Sequence, residues 1–484
     1  MYLGLDIGTS AVKAAVIGER GQLVDQASSR LTTSHPHPLW SEQHPEQWWD
    51  AVSAAVLGLR RDVRSQLKAV GLSGQMHGAV LLDRNRSVLR PAILWNDGRS
   101  IAECAELERI EPDTAAITGN RAMPGFTAPK LMWVRRHEPR LFEQTATVLL
   151  PKDYVRMRMT GELASDVSDA SGTLWMDVGA RDWSDRMLEA TGLTRHHMPG
   201  LFEGDDLTGR VREAIAAEWG IGTIPVVAGG GDNAAGAISA GVVEAGEGLL
   251  SLGTSGVLFV ADDRYRANPA GGVHTFCHAV PNRWHQMAVI LSAASCIDWA
   301  ARVCGMSDAS ALLTQIENSA LSDVTELFLP YLSGERTPHN NPYAQGVLFG
   351  LTHESSAASI GQAVLEGVAF AMRDGFDALR STGVRVESIS VIGGGARSTY
   401  WGRILSSVLN FPLTYRKDGE VGPALGAARL AQLFVNGGQR DLLAAQPPVS
   451  HVIEPDQAWA HRYEERLQRY RRLYQRLAVP FFQQ

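Results

Sequence analysis

Two carboxylates stand where apolar segments give way to glycine-rich turns. Asp6 closes the apolar run Tyr2-Leu3-Gly4-Leu5 and is followed, after Ile7, by Gly8-Thr9-Ser10, whose backbone N–H groups and two hydroxyls suit an anion. A carboxylate beside such a turn fits a hydrated Mg²⁺, an ion that takes one or two carboxylates and fills its shell with phosphate oxygens and water. The plainer alternative is an Asp that bonds its own turn. Asp232 follows Gly229-Gly230-Gly231 and precedes a segment of small residues, with Asn233 beside it. Three glycines let backbone approach a ligand closely, and an Asp there can accept a proton from a bound hydroxyl. Asp232 can also be read as a helix N-cap, but a cap does not need three glycines. Asn233 adds a neutral donor and acceptor.

The first turn has a counterpart about 245 residues later, Ser251-Leu252-Gly253-Thr254-Ser255-Gly256-Val257, with Ser251 where the first copy has Asp6. Each copy reads as a tight turn between two strands, with its glycine expected at positive φ. Two such turns from two halves of one chain can grip the phosphates of a nucleotide from opposite sides. A third loop, Gly393-Gly394-Gly395-Ala396-Arg397-Ser398, joins a predicted strand to a helix. It can lie against a base or sugar-phosphate, or be only a tight connection. No GxGxxG follows the first strand and no GxxxxGK[ST] occurs. Gln75-Met76-His77-Gly78 places a histidine next to glycine on a loop, readable as a ligand contact or as a structural residue. Trp95-Asn96-Asp97-Gly98-Arg99 offers an apolar wall with a polar rim or a simple Asn/Asp–Gly turn. Trp40, Trp48 and Trp49 fit packing of an amphipathic helix better than a site.

The elements that would position these residues alternate between strand and helix. Residues 1–28 read as a β-meander, followed by a helix from Pro45 to Arg61 and a strand from Lys68 to Ser73. Further helices are expected over 127–137, 184–192, Ala234 to Gly241 and Gly361 to Arg380, with strands at Pro225–Ala228 and Ser388–Ile392. A charged final helix, Gln457 to Leu477, reads as a solvated cover. The class is α/β, with a domain break near 241–249 that separates 1–244 from 245–484. A chain of 484 residues exceeds one core. A net charge of −7 without basic runs gives no support for nucleic-acid or membrane-surface binding. Four cysteines without CxxC spacing, no long apolar stretch and no basic leader point to a reducing cytoplasm.

Together these motifs resemble the carbohydrate kinases of the FGGY family, within the actin/hexokinase/Hsp70 superfamily, and the resemblance covers nearly the whole chain. Gly125-Phe126-Thr127-Ala128-Pro129-Lys130 through His137 is similar to the family's first signature, and Gly346 through Leu351 with Ala363-Val364-Leu365-Glu366 to its second. Ser359 departs from the amide or charged residue usual there and is expected on a helix surface. Within the family, Gln75–Gly78, Trp95–Arg99 and Leu332-Ser333-Gly334-Glu335-Arg336-Thr337-Pro338-His339-Asn340-Asn341-Pro342 resemble members acting on D-xylulose. Glycerol-specific members carry Arg-Glu where this chain has Met76-His77.

The resemblance implies two actin-like, ribonuclease-H-like ATPase domains flanking a central cleft, ATP and Mg²⁺ as nucleotide and cofactor, and transfer of a phosphoryl group to D-xylulose to give D-xylulose 5-phosphate. It implies Asp232 as general base and Asp6 as a Mg²⁺ holder through water. Met76, His77, Asp232 and Asn233 become the sugar contacts, with Trp95 as a wall. Gly8, Thr9, Ser10, Gly253, Thr254 and Ser255 would position the β- and γ-phosphates, and Gly394, Gly395 and Ala396 the adenosine. The alternatives are another ketose or polyol, such as ribulose or glycerol. An aldonate is disfavoured because the sugar loop supplies no Lys or Arg. A non-enzymatic nucleotide-dependent binding module would need an extra domain or linker, and none is apparent. A twofold homodimer is the base-rate expectation for an enzyme of this size.

Overall fold

The computed structural model describes residues 1–319, 324–416, 422–439, 443 and 448–482. In the first half, β1 (Tyr2–Ile7), β2 (Ala11–Ile17) and β3 (Leu23–Arg30) form the expected meander. α1 (Pro45–Leu57) follows, then β4 (Ala69–Gly74), which lies parallel to β1. After α2 (Thr127–His137), strands β5 (Leu207–Arg210), β6 (Pro225–Val227) and the short β7 (Gly230–Gly231) complete a seven-stranded sheet. Its order is β5–β6–β4–β1–β2–β3, and β7 also pairs with β4. α3 (Asp232–Ser239) leads into the second half.

The second half repeats the plan. Strands β8 (Glu247–Leu252) and β9 (Gly256–Asp262) form the equivalent hairpin. They are followed by β10 (His274–Cys277) and β11 (Trp284–Ile290), then β12 (Ser388–Ile392), β13 (Leu413–Arg416) and β14 (Val449–Ile453). The sheet order is β10–β11–β9–β8–β12–β13–β14, with β12 parallel to β8 as β4 is to β1. α4 (Ala357–Arg380), α5 (Pro423–Val435) and α6 (Gln457–Phe481) are its principal helices.

Every residue of β1 and β4 is buried, as expected of parallel strands covered on both faces. Alternation assigns the faces. Leu3, Leu5, Val70 and Leu72 pack with Trp48 and Val52 of α1. Gly4 and Gly71 point the other way, toward α5, a helix that comes from the second half of the chain. A Cβ on Gly4 would lie 1.8 Å from the carbonyl oxygen of Ala424, and one on Gly71 1.9 Å from that of Ala427. Gly426 in turn lets α5 approach α3, where a Cβ would meet Ala235 O at 1.8 Å. Backbone-to-backbone contact at three glycines therefore locks α5 onto the first sheet and onto α3.

Several expectations change. Neither Gly8 nor Gly253 takes positive φ; the left-handed glycines are Gly229 (φ 80°) and Gly393 (φ 93°) in the other two loops. At Gly229 a Cβ would sit 1.8 Å from Leu72 O, and at Gly393 2.6 Å from Leu252 O, so each loop is pressed against a central strand. Asp232 is the first residue of α3 and Gly231 its cap, so the helix begins two residues earlier than its small residues suggest. Ser359 is buried rather than on a helix surface: it shares a capping box with Ser356 and donates to Glu326 Oε1 at 2.8 Å. α6 is no solvated cover. Tyr463, Leu467, Tyr470 and Tyr474 line its buried face, and Arg466 pairs with Glu366 at 2.6 Å. Its charge density hid a regular apolar stripe. All four cysteines are free, and among the described residues no helix is long and apolar enough to cross a membrane.

Gly71→Ala is expected to destabilise the protein by about 1–3 kcal/mol, because the added methyl has only the α5 backbone to displace. Gly21→Ala, at a position with no neighbour within 4 Å but with φ 78°, reports the backbone cost alone. Denaturant melts of the two variants check the difference, and equal losses would contradict the close-approach account.

Candidate active site

The parallel register of three strands brings the two carboxylates to one edge. Asp6 of β1 pairs with Ser73 of β4, and Ser73 with Gly230 of β7; one residue on, Gly74 pairs with Gly231, after which the chain enters α3 at Asp232. Ligand clefts of open α/β sheets lie at such carboxyl ends. Asp6 is buried, and its Oδ1 and the neighbouring Ser73 Oγ have no hydrogen-bond partner among the described residues. The reading of Asp6 as a turn-stabilising residue is therefore not realised. Asp232 Oδ1 accepts from Asn233 N–H at 2.7 Å and from Asn233 Nδ2 at 2.9 Å.

Burial pushes the Asp6 carboxyl up to about 7, with the charge of Asp232 adding to the effect and Lys13 opposing it. Burial also raises Asp232, to about 6, against the two bonds from Asn233. Part of Asp232 is open to the cleft, yet protein surrounds the carboxyl closely enough for desolvation to dominate. Among the described residues no three His, Cys, Asp or Glu side chains converge as a metal cage. A buried carboxylate with an orphaned oxygen, next to a hydroxyl and an N–H-rich turn, fits instead a Mg²⁺ that brings water and phosphate with it.

The histidine loop is fixed by α2. Lys130, fully buried, donates through Nζ to the carbonyls of His77 and Gly125 at 2.8 Å each, and Thr127 Oγ1 donates to His77 O at 3.2 Å. That anchorage accounts for the Thr-Ala-Pro-Lys stretch and holds His77 at φ 68°, unusual for a non-glycine residue. His77 Nδ1 lies 2.6 Å from Gly172 O. A carbonyl only accepts, so Nδ1 carries the proton and Nε2 is left as an acceptor. Burial and Lys130 depress the imidazole to about 3, keeping the ring neutral. Gly172 must be glycine here: a Cβ would fall 2.5 Å from the imidazole. Met76 packs its thioether on Gly231, directly before Asp232.

These groups meet in a cavity of about 320 Å³ lined by both halves of the chain. Met76, His77, Trp95, Asp232 and Asn233, the expected sugar contacts, all border it. Trp95 is 46% exposed and donates through Nε1 to Thr9 Oγ1 at 3.0 Å, so the wall and the first turn are tied together. Thr9 Oγ1 in turn donates to Gln75 Oε1 at 3.0 Å. Of the other expected ligand residues only Ser255 lines this cavity. Gly8, Thr9 and Ser10 sit between β1 and β2, closed by Gly8 N–H to Ala11 O at 3.1 Å. Gly253 and Thr254 are held through their carbonyls by Ala294 and Ala293 N–H at 2.9 and 2.8 Å. Gly394, Gly395 and Ala396 form a single 3₁₀ turn that packs beside them: a Cβ on Gly395 would meet Leu252 at 2.9 Å.

The second half contributes lining residues that the sequence reading did not single out, notably His274, Phe276 and Arg336. Arg336 corrects the expectation of a pocket without a cation. The loop at residues 75–78 indeed has none, but the Leu332–Pro342 segment delivers one from the second half of the chain. Its glycine and prolines flanking a charged pair were the available signal.

Residues 1–239 match the family model for the N-terminal domain of FGGY carbohydrate kinases, and 248–433 that for the C-terminal domain. The chain is 53% identical to the xylulose kinase of Escherichia coli (strain K12), with 99% of each covered, and 37% identical to that of Bacillus subtilis (strain 168), with 89% and 87% covered. Its fold superposes on the crystal structure of a xyloylose kinase from Brucella ovis with a TM-score of 0.96 at 48% identity, covering 99% of both chains. Xylulose kinase from Rhodospirillum rubrum gives a TM-score of 0.92 at 29% identity over 99% of each. Two family models spanning most of the chain, on a doubled sheet with a shared cleft, establish that it belongs to the FGGY family of carbohydrate kinases.

Proposed function

We propose that the protein transfers the γ-phosphoryl group of ATP to the terminal hydroxyl of D-xylulose, giving D-xylulose 5-phosphate and ADP. The observation that carries this reading is the cavity that Asp232 and His77 both line, with the acceptor nitrogen of His77 fixed by the bond of its other nitrogen to Gly172 O. Relatives at 53% and 51% identity over 99% of this chain that bear the name xylulose kinase support it. Asp232 takes the proton of the O5 hydroxyl as that oxygen attacks phosphorus, and Asn233 keeps the carboxylate turned toward it. His77 Nε2 accepts from a sugar hydroxyl. Met76 and Trp95 supply apolar surface against the carbon chain and keep water from the attacking position. Asp6 and Ser73 would hold a hydrated Mg²⁺, which when bound screens phosphate charge. The turns at Gly8-Thr9-Ser10 and Gly253-Thr254-Ser255 present N–H and hydroxyl groups to the phosphates, while the Gly394-Gly395-Ala396 turn presents open backbone to the adenosine.

Asp232→Ala is expected to lower kcat by about 10²–10⁴ with nucleotide binding retained. Turnover near that of the unaltered protein would refute the base assignment. The substrate is tested by ranking kcat/KM over D-xylulose, L-xylulose, D-ribulose, glycerol and gluconate; D-xylulose should lead. Gluconate belongs in the panel because Arg336 offers a carboxylate a partner.

The raised carboxyls also carry a cost in stability. A folded carboxyl titrating near 6 or 7 binds a proton that the unfolded chain has already lost, so the penalty grows as pH rises from the ordinary carboxylate range and is complete above about 7. Asp6→Asn and Asp232→Asn are each expected to raise Tm by about 2–4 °C at pH 8, and by less at pH 5. A fall in Tm at pH 8 would contradict the burial account.

A further inference from the structure

The second half of the chain lines the cavity with two groups that the mechanism above does not use. His274, at the start of β10, is only 5% exposed. Asn120 Nδ2 donates to the carbonyls of Thr118 and Thr275, each at 2.9 Å, which turns Asn120 Oδ1 toward His274 Nδ1 at 2.9 Å and Thr275 N–H at 3.3 Å. The proton of His274 therefore sits on Nδ1. Its Nε2 is a buried lone pair without a hydrogen-bond partner among the described residues. The ring cannot swing away to find one, being stacked on Phe276 at 5.8 Å and edge-on to Phe126 at 5.9 Å.

Arg336 is placed as firmly. Next to it, Thr337 N–H donates to Val289 O at 3.1 Å, and Thr337 Oγ1 accepts from Val289 N–H at 3.0 Å while donating to Gly272 O at 2.8 Å. Its own backbone N–H donates to Glu335 Oε1 at 2.7 Å, and that same oxygen takes Leu291 N–H at 3.2 Å. Among the described residues the guanidinium itself makes no hydrogen bond and no ion pair. A donor-only group carried on a fixed backbone and a fixed, unpartnered acceptor, bordering one cavity, describe a ligand by complement.

We propose that His274 and Arg336 form the subsite for the end of the sugar remote from phosphoryl transfer and select an α-hydroxyketone there. Arg336 donates to the C2 carbonyl, and the C1 hydroxyl donates to His274 Nε2. A carboxylate at C1 would bring only lone pairs to His274, so an aldonate could satisfy both groups only by placing its C2 hydroxyl where a ketose places its C1 hydroxyl. An alcohol at C2 can also accept from Arg336, but its own proton finds no acceptor on the guanidinium, and Nε2 of His274 is already taken by the C1 hydroxyl. The assignment rests on the reading of Asp232 as base for O5, which sets the orientation of the sugar.

The test is a substrate-by-variant cycle. D-xylulose is compared with xylitol, which lacks the C2 carbonyl, and with 1-deoxy-D-xylulose, which lacks the C1 hydroxyl, in the unaltered protein and in Arg336→Met, Arg336→Lys, His274→Phe and His274→Gln. The ratio of kcat/KM for D-xylulose over xylitol should fall about 10–100-fold in Arg336→Met, through KM, with partial recovery in Arg336→Lys. The ratio over 1-deoxy-D-xylulose should collapse in His274→Phe, which keeps the stacked ring, and recover in part in His274→Gln. Ratios equal to those of the unaltered protein, or equal losses on all three sugars, would overturn the subsite. If Arg336→Met does not fold, the Arg336→Lys ratio decides for that residue. Failure of the unaltered protein to prefer D-xylulose in the sugar panel would instead overturn the functional reading, so the two failures are distinct.

Discussion

Two carboxylates that repel one another are buried in the same cleft, and the rest of the architecture follows from keeping them there. Left to itself, either would move toward water or stay protonated. They remain in place because each is attached to backbone that has nowhere to go. Asp6 ends a fully buried strand, and Asp232 opens a helix pressed by Gly426 against α5. α5 is itself seated on Gly4 and Gly71. The chain from residue 423 onward thus returns to brace the strand ends that carry the chemistry, and the site is as much a product of the last third of the chain as of the first.

The two halves share a plan but divide the labour. Each begins with a hairpin whose turn reads Gly-Thr-Ser, and each has a parallel strand beside it. Only the first hairpin places a carboxylate before its turn. The second has Ser251 there, and its sheet instead extends through β11 and β10 toward the first half, where His274 and Phe276 form a wall of the cavity. Duplication thus explains the paired turns, and departure from symmetry explains the cavity between the halves. Lys130 shows how one buried cation serves that departure: by filling two carbonyls it anchors a left-handed histidine, whose Nδ1–H to Gly172 O leaves Nε2 as the free acceptor.

Much of this was legible in the sequence because it is local. The Gly-Thr-Ser turns, the three glycines before Asp232 and the loop around His77 are short motifs whose chemistry is visible in residue type and spacing. What was hidden depends on register and on distant packing. Nothing local to Gly4 or Gly71 says that a helix some 420 and 356 residues later will lie on them. His274 reads as an ordinary strand residue until Asn120 fixes its tautomer and Phe126 its plane. Positive φ was expected at the glycines of the paired turns and is found instead at Gly229 and Gly393, where the loops press against the central strands at Leu72 and Leu252. The final helix misled through its charge, which covers one face and leaves four large side chains on the other.

The central claim is that Asp232 works as a base because burial has lifted its pKa toward neutrality. The pH dependence of kcat/KM for the sugar, measured at saturating ATP and Mg²⁺, tests it most directly. With Mg²⁺ saturating, so that Asp6 stays ionised, the account predicts an acid limb with a midpoint of about 6, activity falling about tenfold per pH unit below it, and the same limb in His77→Gln because that imidazole is already neutral. A profile flat down to the ordinary carboxylate range, or a limb that disappears when His77 is replaced, would contradict it.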